Sequence, residues 1–191
     1  MGRFVALDFE TANLKRDSAC QIALAVVEDN TVVETRERLI RPPSRQFTFT
    51  YVHGLTWRDV ADADPFDAVW PEFEALLEGA EFIAAHNAGF DRSVLRACCE
   101  RSGLEMPRTP FVCTVQMARQ VWQLKRARLP DVCEALSIPL RNHHNAGADA
   151  TACARIVIEA RRTASPLEIR PLGSSRKRKR RSGAPRRRSR T

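Results

Sequence analysis

The chain has 191 residues, of which 43% are hydrophobic and 28% are charged, and its formal net charge is +8. Residues 166–191 hold 11 of the 31 basic residues and one of the 23 acidic ones, so a slightly acidic part, residues 1–165, precedes a strongly basic tail. No run of about 18 apolar residues and no signal-type apolar segment at residues 1–10 is present, so we expect neither a membrane span nor a secretory signal.

The first 51 residues predict three strands and a loop. The apolar run at residues 4–7 is typical of a strand buried on both faces. Further strands are predicted at residues 20–27 and 31–40, and the turn residues between them indicate an antiparallel meander. The segment 41–51 is predicted as a loop.

Helical spacing of apolar residues begins after residue 64. A helix is predicted from Pro65, with Asp64 as its N-cap and Gly79 beyond its end. The elements predicted after it are a strand at 81–85, a helix at 90–102, a strand at 111–113, and helices at 114–123, 129–136 and 146–164.

Three strands followed by alternating strands and helices predict an α/β domain with a mixed sheet, over residues 1–165. The tail, residues 166–191, is rich in Arg, Pro, Gly and Ser and has few apolar residues, so we predict that it is disordered. The six cysteines contain no CxxC pair and lie in apolar stretches. We expect them to be reduced and buried in a cytoplasmic protein, at the nucleoid of a bacterium, or in a nuclear protein if the source is eukaryotic.

Acidic residues stand at the ends of several predicted elements. Asp8 and Glu10 follow the first strand, and residues two apart on a strand point to the same side. Two neighbouring carboxylates repel, so they need a cation between them or a raised pKa. Asp91 and Asp149 each fall in the first turn of a helix, and His144 precedes Asp149 by five residues. Taken one at a time, the acids are explained as well by exposed strand ends or helix-start acids.

Together these residues form three motifs in order: Asp8-Phe9-Glu10-Thr11, His-Asn-Ala-Gly-Phe-Asp at 86–91, and His-x4-Asp at 144–149, with Val-His-Gly-Leu-Thr at 52–56 after the first. On them, the chain resembles the DEDDh 3′–5′ exonucleases, the family of the proofreading epsilon subunit of bacterial DNA polymerase III, over residues 3–164. The resemblance implies a ribonuclease-H-like fold, in which helices flank a mixed sheet. One departure is Gly147, where such proteins often carry a larger aliphatic residue. We expect this glycine to loosen packing at the start of the last helix.

The resemblance also implies the chemistry of the site. The four acids would hold two divalent metal ions, Mg²⁺ or Mn²⁺, which prefer oxygen ligands. His144 would take a proton from the attacking water, a role that suits a nearly neutral imidazole. The implied reaction is metal-dependent hydrolysis at the 3′ end of DNA, preferably single-stranded, which releases nucleoside 5′-monophosphates. The implied metal ligands are Asp8, Glu10, Asp91 and Asp149.

Substrate contacts are implied by the same resemblance. Phe9 and Thr11 would lie under the terminal nucleotide, and Val52, His53 and Leu55 would pack against its base or sugar. For the second group the alternative is a plain loop that leads into a helix.

Alternating aromatic residues at 47–51 could, with Arg45, form a stacking platform for single strands. The alternation is more typical of a half-buried edge strand, and we predict that structure.

Two other functions remain open from the sequence. The same site occurs in relatives that degrade RNA, such as ribonuclease T and oligoribonuclease, so an exoribonuclease is the first alternative. The second is a non-catalytic nucleic-acid-binding module that acts through the basic clusters at 176–181 and 186–188. We expect nucleic acid as the partner, DNA more than RNA, in a polymerase or repair complex and away from membranes.

Overall fold

Five strands form one mixed sheet in a computed structural model that describes residues 2–163 and 171–172. Its first three strands form the predicted antiparallel meander, and the last two add parallel to the first. The predicted α/β architecture is therefore confirmed. In chain order the strands are β1 (Phe4–Thr11), β2 (Ala19–Glu28), β3 (Thr31–Leu39), β4 (Ile83–Ala85) and β5 (Phe111–Cys113), arranged β3-β2-β1-β4-β5.

Helices cover both faces of the sheet. They are α1 (Thr50–His53), α2 (Trp57–Val60), α3 (Phe66–Glu74), α4 (Gly89–Ser102), α5 (Thr114–Val121), α6 (Leu129–Ala135) and α7 (Ala146–Thr163), and a 3₁₀ turn, Ala75–Leu77, extends α3. No helix within residues 2–163 is both long and apolar enough to cross a membrane.

The central strand β1 divides two apolar cores. Val5 and Leu7 belong to the core that α3 and α4 cover, whereas Phe4 and Ala6 pack with α7. This alternation is why residues 4–7 are apolar without interruption. Because the alternation continues along β1, the side chains of Asp8 and Glu10 also point to the α7 side of the sheet.

Strand β4 is much shorter than β1 and pairs with it only at Val5 and Ala6. Beyond that point, no strand within residues 2–163 lies beside the β4-facing edge of β1. The carboxyl-terminal half of β1 therefore borders an open cleft.

Two local predictions are wrong. Residues 47–51 form no edge strand, because the N–H groups of Thr48 and Phe49 donate to the Ala12 carbonyl, at 2.7 and 3.2 Å, and a short helix follows at once. The N-cap of α3 is Pro65 rather than Asp64, since the Asp64 carboxylate pairs with Arg38 at 3.0 Å.

Most of the predicted tail, residues 166–191, lies outside the described residues. Pro171 and Leu172 are described, and both have backbone contacts with β5. Pro171 forms a bridge with Val112, and the Leu172 N–H donates to the Phe111 carbonyl at 2.5 Å. The outer edge of β5 offers these backbone partners, and the Leu172 side chain packs against the core.

The six cysteines are free and buried, as predicted.

Candidate active site

Three carboxylates meet where β1 ends. Asp8 and Glu10 project from the α7 side of β1, and Asp149 reaches them from the first turn of α7. Ligand oxygens of the three side chains lie within 4.8 Å of one another. Glu10 and Asp149 are buried, whereas Asp8 is partly exposed. The predicted convergence of strand-end and helix-start acids is present in the structure.

A fourth carboxylate, Asp91, lies beside this group. It comes from the first turn of α4 and is 2% exposed, and its Oδ1 accepts a hydrogen bond from the Phe9 N–H at 3.2 Å. Asp91 is outside the 4.8 Å group, but its charge raises the pKa values of Asp8 and Glu10. The four acids therefore form one electrostatic unit.

Burial and repulsion from neighbouring acids raise the pKa values of Asp8 and Glu10, and burial raises that of Asp91. The pKa of Glu10 rises to about 8, through burial first and then the charges of Asp149 and Asp91. Burial raises the pKa of Asp91 to about 7, and burial with three neighbouring acids raises that of Asp8 well above its usual range.

Among the described residues, no lysine or arginine forms an ion pair with any of the four acids. Clustered carboxylates without a cationic partner are stabilised by a bound cation, and oxygen ligands select hard divalent ions. The donor set therefore fits divalent metal binding.

Two histidines flank Asp149. His143 Nδ1 lies 3.1 and 2.9 Å from its two carboxylate oxygens, and the backbone N–H of His144 donates to Oδ2 at 3.1 Å. The two imidazole rings stack with centroids 3.8 Å apart. Burial, with His143 close by, lowers the pKa of His144, so its ring is neutral at pH 7 and can accept a proton. His143 was not predicted, because the motif match selects His144 alone.

The acids and both histidines line one cleft of about 820 Å³. An exonuclease family model, RNase_T, matches residues 5–157, which include all of them. The chain belongs to the DEDDh family of 3′–5′ exonucleases. This family uses divalent metal ions, which agrees with the donor set.

The curated relatives of this exonuclease domain are much longer proteins. It is 32% identical over 162 residues to DNA polymerase III PolC-type from Caldanaerobacter subterraneus subsp. tengcongensis, covering 83% of this chain and 11% of that protein. It is 30% identical over 162 residues to 3′-5′ exonuclease DinG from Bacillus subtilis, covering 82% of this chain and 17% of that protein. The chain thus spans less than a fifth of the length of either relative.

Solved structures establish the fold of the exonuclease domain. The nuclease domain of 3′hExo, a DEDDh family member bound to rAMP, matches with a TM-score of 0.78 at 16% identity, over 91% of this chain and 98% of that chain. Exonuclease X in complex with 5′ overhanging duplex DNA matches with a TM-score of 0.72 at 24% identity, over 87% and 96% of the two chains. The predicted ribonuclease-H-like fold is confirmed.

The predicted substrate-binding residues divide into two groups in this exonuclease. Phe9 is buried and lines the cleft. Thr11, Val52, His53 and Leu55 are not among the residues that line it. His53 is held to the end of β1, because its Nε2 lies 3.2 Å from the Thr11 carbonyl oxygen, and its Nδ1 accepts the Leu55 N–H at 3.1 Å. Contact of a nucleotide with any of the five predicted residues stays a prediction.

The lining of the cleft also contains residues that sequence reasoning missed. His86 is held by Thr114 Oγ1 at 2.9 Å and by the Ala127 carbonyl at 3.0 Å, and burial lowers the pKa of its ring to about 4. Arg119 and Phe90 also line the cleft. The motif contains His86 and Phe90, yet only the folded structure shows that residues of α5 and α6 line the cleft with them.

Proposed function

We propose that this exonuclease domain removes nucleotides from the 3′ end of DNA, prefers single strands, and releases nucleoside 5′-monophosphates. The observation that carries the proposal is the convergence of four carboxylates in one cleft beside a neutral histidine. A phosphodiester is an anion, so these carboxylates would repel it in their charged form. The site is suited to such a substrate once cations occupy it.

Two divalent ions, Mg²⁺ or Mn²⁺, are proposed as the cofactors. Asp8, Glu10, Asp91 and Asp149 would hold them through hard oxygen ligands. When bound, such ions offset the charge of the phosphodiester and stabilise the leaving 3′ oxygen. The four carboxylates, of which Asp91 and Asp149 are held by hydrogen bonds, would fix where that positive charge lies.

His144 is proposed as the general base. Its ring is neutral near pH 7 and partly exposed at the cleft, so it can take a proton from a water molecule. The hydrogen bond from its own N–H to Asp149 and the stacked His143 ring restrict its orientation. Arg119 is proposed to contact the phosphate backbone, since this exposed arginine is one of the residues that line the cleft.

The preference for DNA is supported by the name of the curated relative DNA polymerase III PolC-type and by the fold match to exonuclease X in complex with 5′ overhanging duplex DNA. RNA is the second candidate substrate. It is favoured by the fold match to a 3′hExo nuclease domain that was solved with rAMP, a ribonucleotide.

The test uses single-stranded DNA and RNA oligonucleotides of matched sequence, each labelled at the 5′ or the 3′ end, with Mn²⁺. We expect the 5′-labelled DNA to shorten one nucleotide at a time and the 3′-labelled DNA to release a labelled mononucleotide at once. The Asp149→Ala protein and a reaction with EDTA are the controls. Faster loss of RNA would replace the DNA proposal, and cleavage from the 5′ end or no cleavage would contradict the function.

The alternative of a nucleic-acid-binding module is tested by a chain that ends at residue 172. This end is chosen because Pro171 and Leu172 pair with β5. We expect the shortened protein to keep its turnover on short oligonucleotides and to lose part of the salt dependence of binding. Association with a polymerase or repair complex is proposed only from the PolC-type relatives.

A further inference from the structure

The first turn of α7 has an unusually complete set of backbone partners. A helix start leaves N–H groups without intrahelical acceptors. Here the Ala146 N–H donates to Gln21 Oε1 at 3.1 Å, and the Gly147 N–H donates to Glu37 Oε2 at 3.1 Å. The Ala148 N–H donates to Asn145 Oδ1 at 3.0 Å, as at an ordinary N-cap. Two of the three acceptors therefore come from the sheet rather than from the helix.

The three accepting side chains also bind one another. Gln21 Nε2 donates to Glu37 Oε1 at 2.7 Å, and Asn145 Nδ2 donates to the same oxygen at 3.0 Å. Gln21 is 5% exposed, and both ends of its amide are used. We name Gln21, Glu37 and Asn145 the α7 clasp.

Gly147 is what allows Glu37 to reach the helix. A methyl group at this position would overlap Glu37 Oε2, so any larger residue must displace the carboxylate. The sequence predicted looser packing here. Instead, Gly147 is buried, and the Glu37 carboxylate takes the space that an aliphatic side chain would fill.

The α7 clasp connects two metal-binding elements. Gln21 stands opposite Glu10 in the β1–β2 ladder, and Asp149 follows Gly147 by two residues in α7. A shift of the helix start by a fraction of an ångström changes the spacing between Asp149 and the acids of β1. Changes of this size in the spacing of the ligands alter how tightly a site binds its metal ion.

We propose that Gln21 and Glu37 are positioning residues of this exonuclease, and that they set the spacing of Asp149 from Asp8 and Glu10 by holding the start of α7. Gly147 is the residue that makes this contact possible. The proposal rests on the proposed function only for its activity readout, because the spacing of the carboxylates also determines how tightly the metal-free protein binds Mn²⁺.

The test measures Mn²⁺ binding to the full chain by calorimetry without nucleic acid, and then kcat and KM on single-stranded DNA. We expect Glu37→Ala to weaken Mn²⁺ binding about three- to ten-fold and to lower kcat at fixed Mn²⁺, with KM for DNA unchanged. Glu37→Gln keeps one accepting oxygen and should fall between Glu37→Ala and the wild type.

Gly147→Ala should reproduce the loss seen with Glu37→Ala, because the added methyl displaces the same carboxylate. In the double variant Glu37→Ala/Gly147→Ala, the two losses should not add, since both remove one contact. Gly89→Ala is the matched control, because a methyl group there meets no atom within 4 Å. Thr35→Ala removes a 3.4 Å contact between β3 and Thr151 farther along α7, and it should leave Mn²⁺ binding unchanged.

Unchanged Mn²⁺ affinity in Glu37→Ala would overturn the proposal, and so would additive losses in the double variant. A drop in melting temperature with unchanged Mn²⁺ affinity at 25 °C would mean that the α7 clasp is only structural, which also overturns it. If the wild type binds Mn²⁺ but does not cut DNA, the proposed function fails. The affinity series still decides whether the α7 clasp positions Asp149.

Discussion

Two segments of this exonuclease share one sequence pattern, His-Asn-Ala-Gly-X-Asp, at residues 86–91 and 144–149. Each segment brings its aspartate from the first turn of a helix to the same cleft. Yet the helices begin at different places in the pattern, since α4 starts at its glycine and α7 starts at its alanine. A common pattern therefore gives two different local structures.

The position of the left-handed residue accounts for part of the difference. In the first segment it is Asn87, with φ of 66°, and in the second it is His144, with φ of 71°. This conformation at His144 turns its N–H toward Asp149 and lets its ring stack on His143. His86, by contrast, is held between α5 and the loop before α6. The role of each histidine is thus set by the neighbouring elements and not by the pattern.

The largest effect should come from removing either aspartate. Asp91→Ala and Asp149→Ala should each lower turnover by at least about 10³-fold, because each removes one of the four carboxylates proposed to hold the metal ions. Turnover on single-stranded DNA measures this. Asp67→Ala is the control, since Asp67 is an exposed acid in the first turn of α3 and should be dispensable. Near-normal turnover in either site variant would show that the two segments are not equivalent in supplying an acid.

Alanine substitutions of the two histidines should have clearly different effects, one on kcat and the other on stability. His144→Ala should lower kcat about 10²- to 10³-fold with little change in Mn²⁺ affinity, as expected when a general base is lost. His86→Ala should instead lower the free energy of unfolding by about 1–3 kcal/mol, because buried partners of its ring are left unsatisfied. Steady-state kinetics and denaturant unfolding distinguish the two. A loss of kcat as large for His86→Ala as for His144→Ala would contradict the comparison.

The buried acid of the first segment should make the stability of the metal-free protein depend on pH. The pKa of Asp91 is about 7 when folded against 3.8 for the free side chain, and that of Glu10 is about 8 against 4.5. The folded state therefore favours the protonated acids, and stability is lost as pH rises from about 4 through 8. In EDTA, the melting temperature should be at least about 10 °C lower at pH 8.5 than at pH 5.5.

Mn²⁺ should remove most of that difference, because a bound cation stabilises the charged acids. Asp91→Asn should make the profile in EDTA less steep, since the amide that replaces the carboxyl group does not titrate, whereas Glu10 still does. An equal melting temperature at both pH values in the wild type would refute the assigned pKa shifts.

The smallest effects should be on stability, and the substitutions that are tolerated should differ between Asn87 and Asn145. Asn87 needs a left-handed backbone, so Asn87→Gly should be tolerated and Asn87→Ser should cost about 1 kcal/mol. Asn145 caps α7 through its side chain, so Asn145→Ser should be tolerated and Asn145→Ala should cost about 1 kcal/mol. Chemical denaturation measures all four variants. The same order of preference at both positions would mean that the local structures are alike after all.

Much of this fold could be predicted from local patterns. The apolar stripe of α3 and the continuous apolar run of β1 follow directly from burial, and both are where they were expected. The edge strand predicted at 47–51 was wrong because the Ala12 carbonyl, distant in sequence, accepts hydrogen bonds from the N–H groups of Thr48 and Phe49. Local alternation carries no information about such a partner.

The acids of the site could be predicted from motifs, but their supports could not. Glu37 and Gly147 are 110 positions apart, and Gln21 and Ala146 are 125 apart, with no local pattern to connect them. His143 was missed for a different reason. It is adjacent to a residue of the same type, and only the left-handed turn at His144 decides which ring meets Asp149.

The unequal lengths of β1 and β4 have a consequence for how this active site can be altered. The Val5 N–H donates to Phe82 beside β4, so the Phe9 N–H, which has the same parity, points to the same edge of the sheet. There, the Asp91 carboxylate accepts the bond that a longer neighbouring strand would have accepted. Asp91 thus acts as a substitute for missing main chain. An insertion that lengthened β4 by two or three residues would compete with Asp91 for the Phe9 N–H. Such an insertion would displace the Asp91 carboxylate and lower activity, although all four acids would still be present.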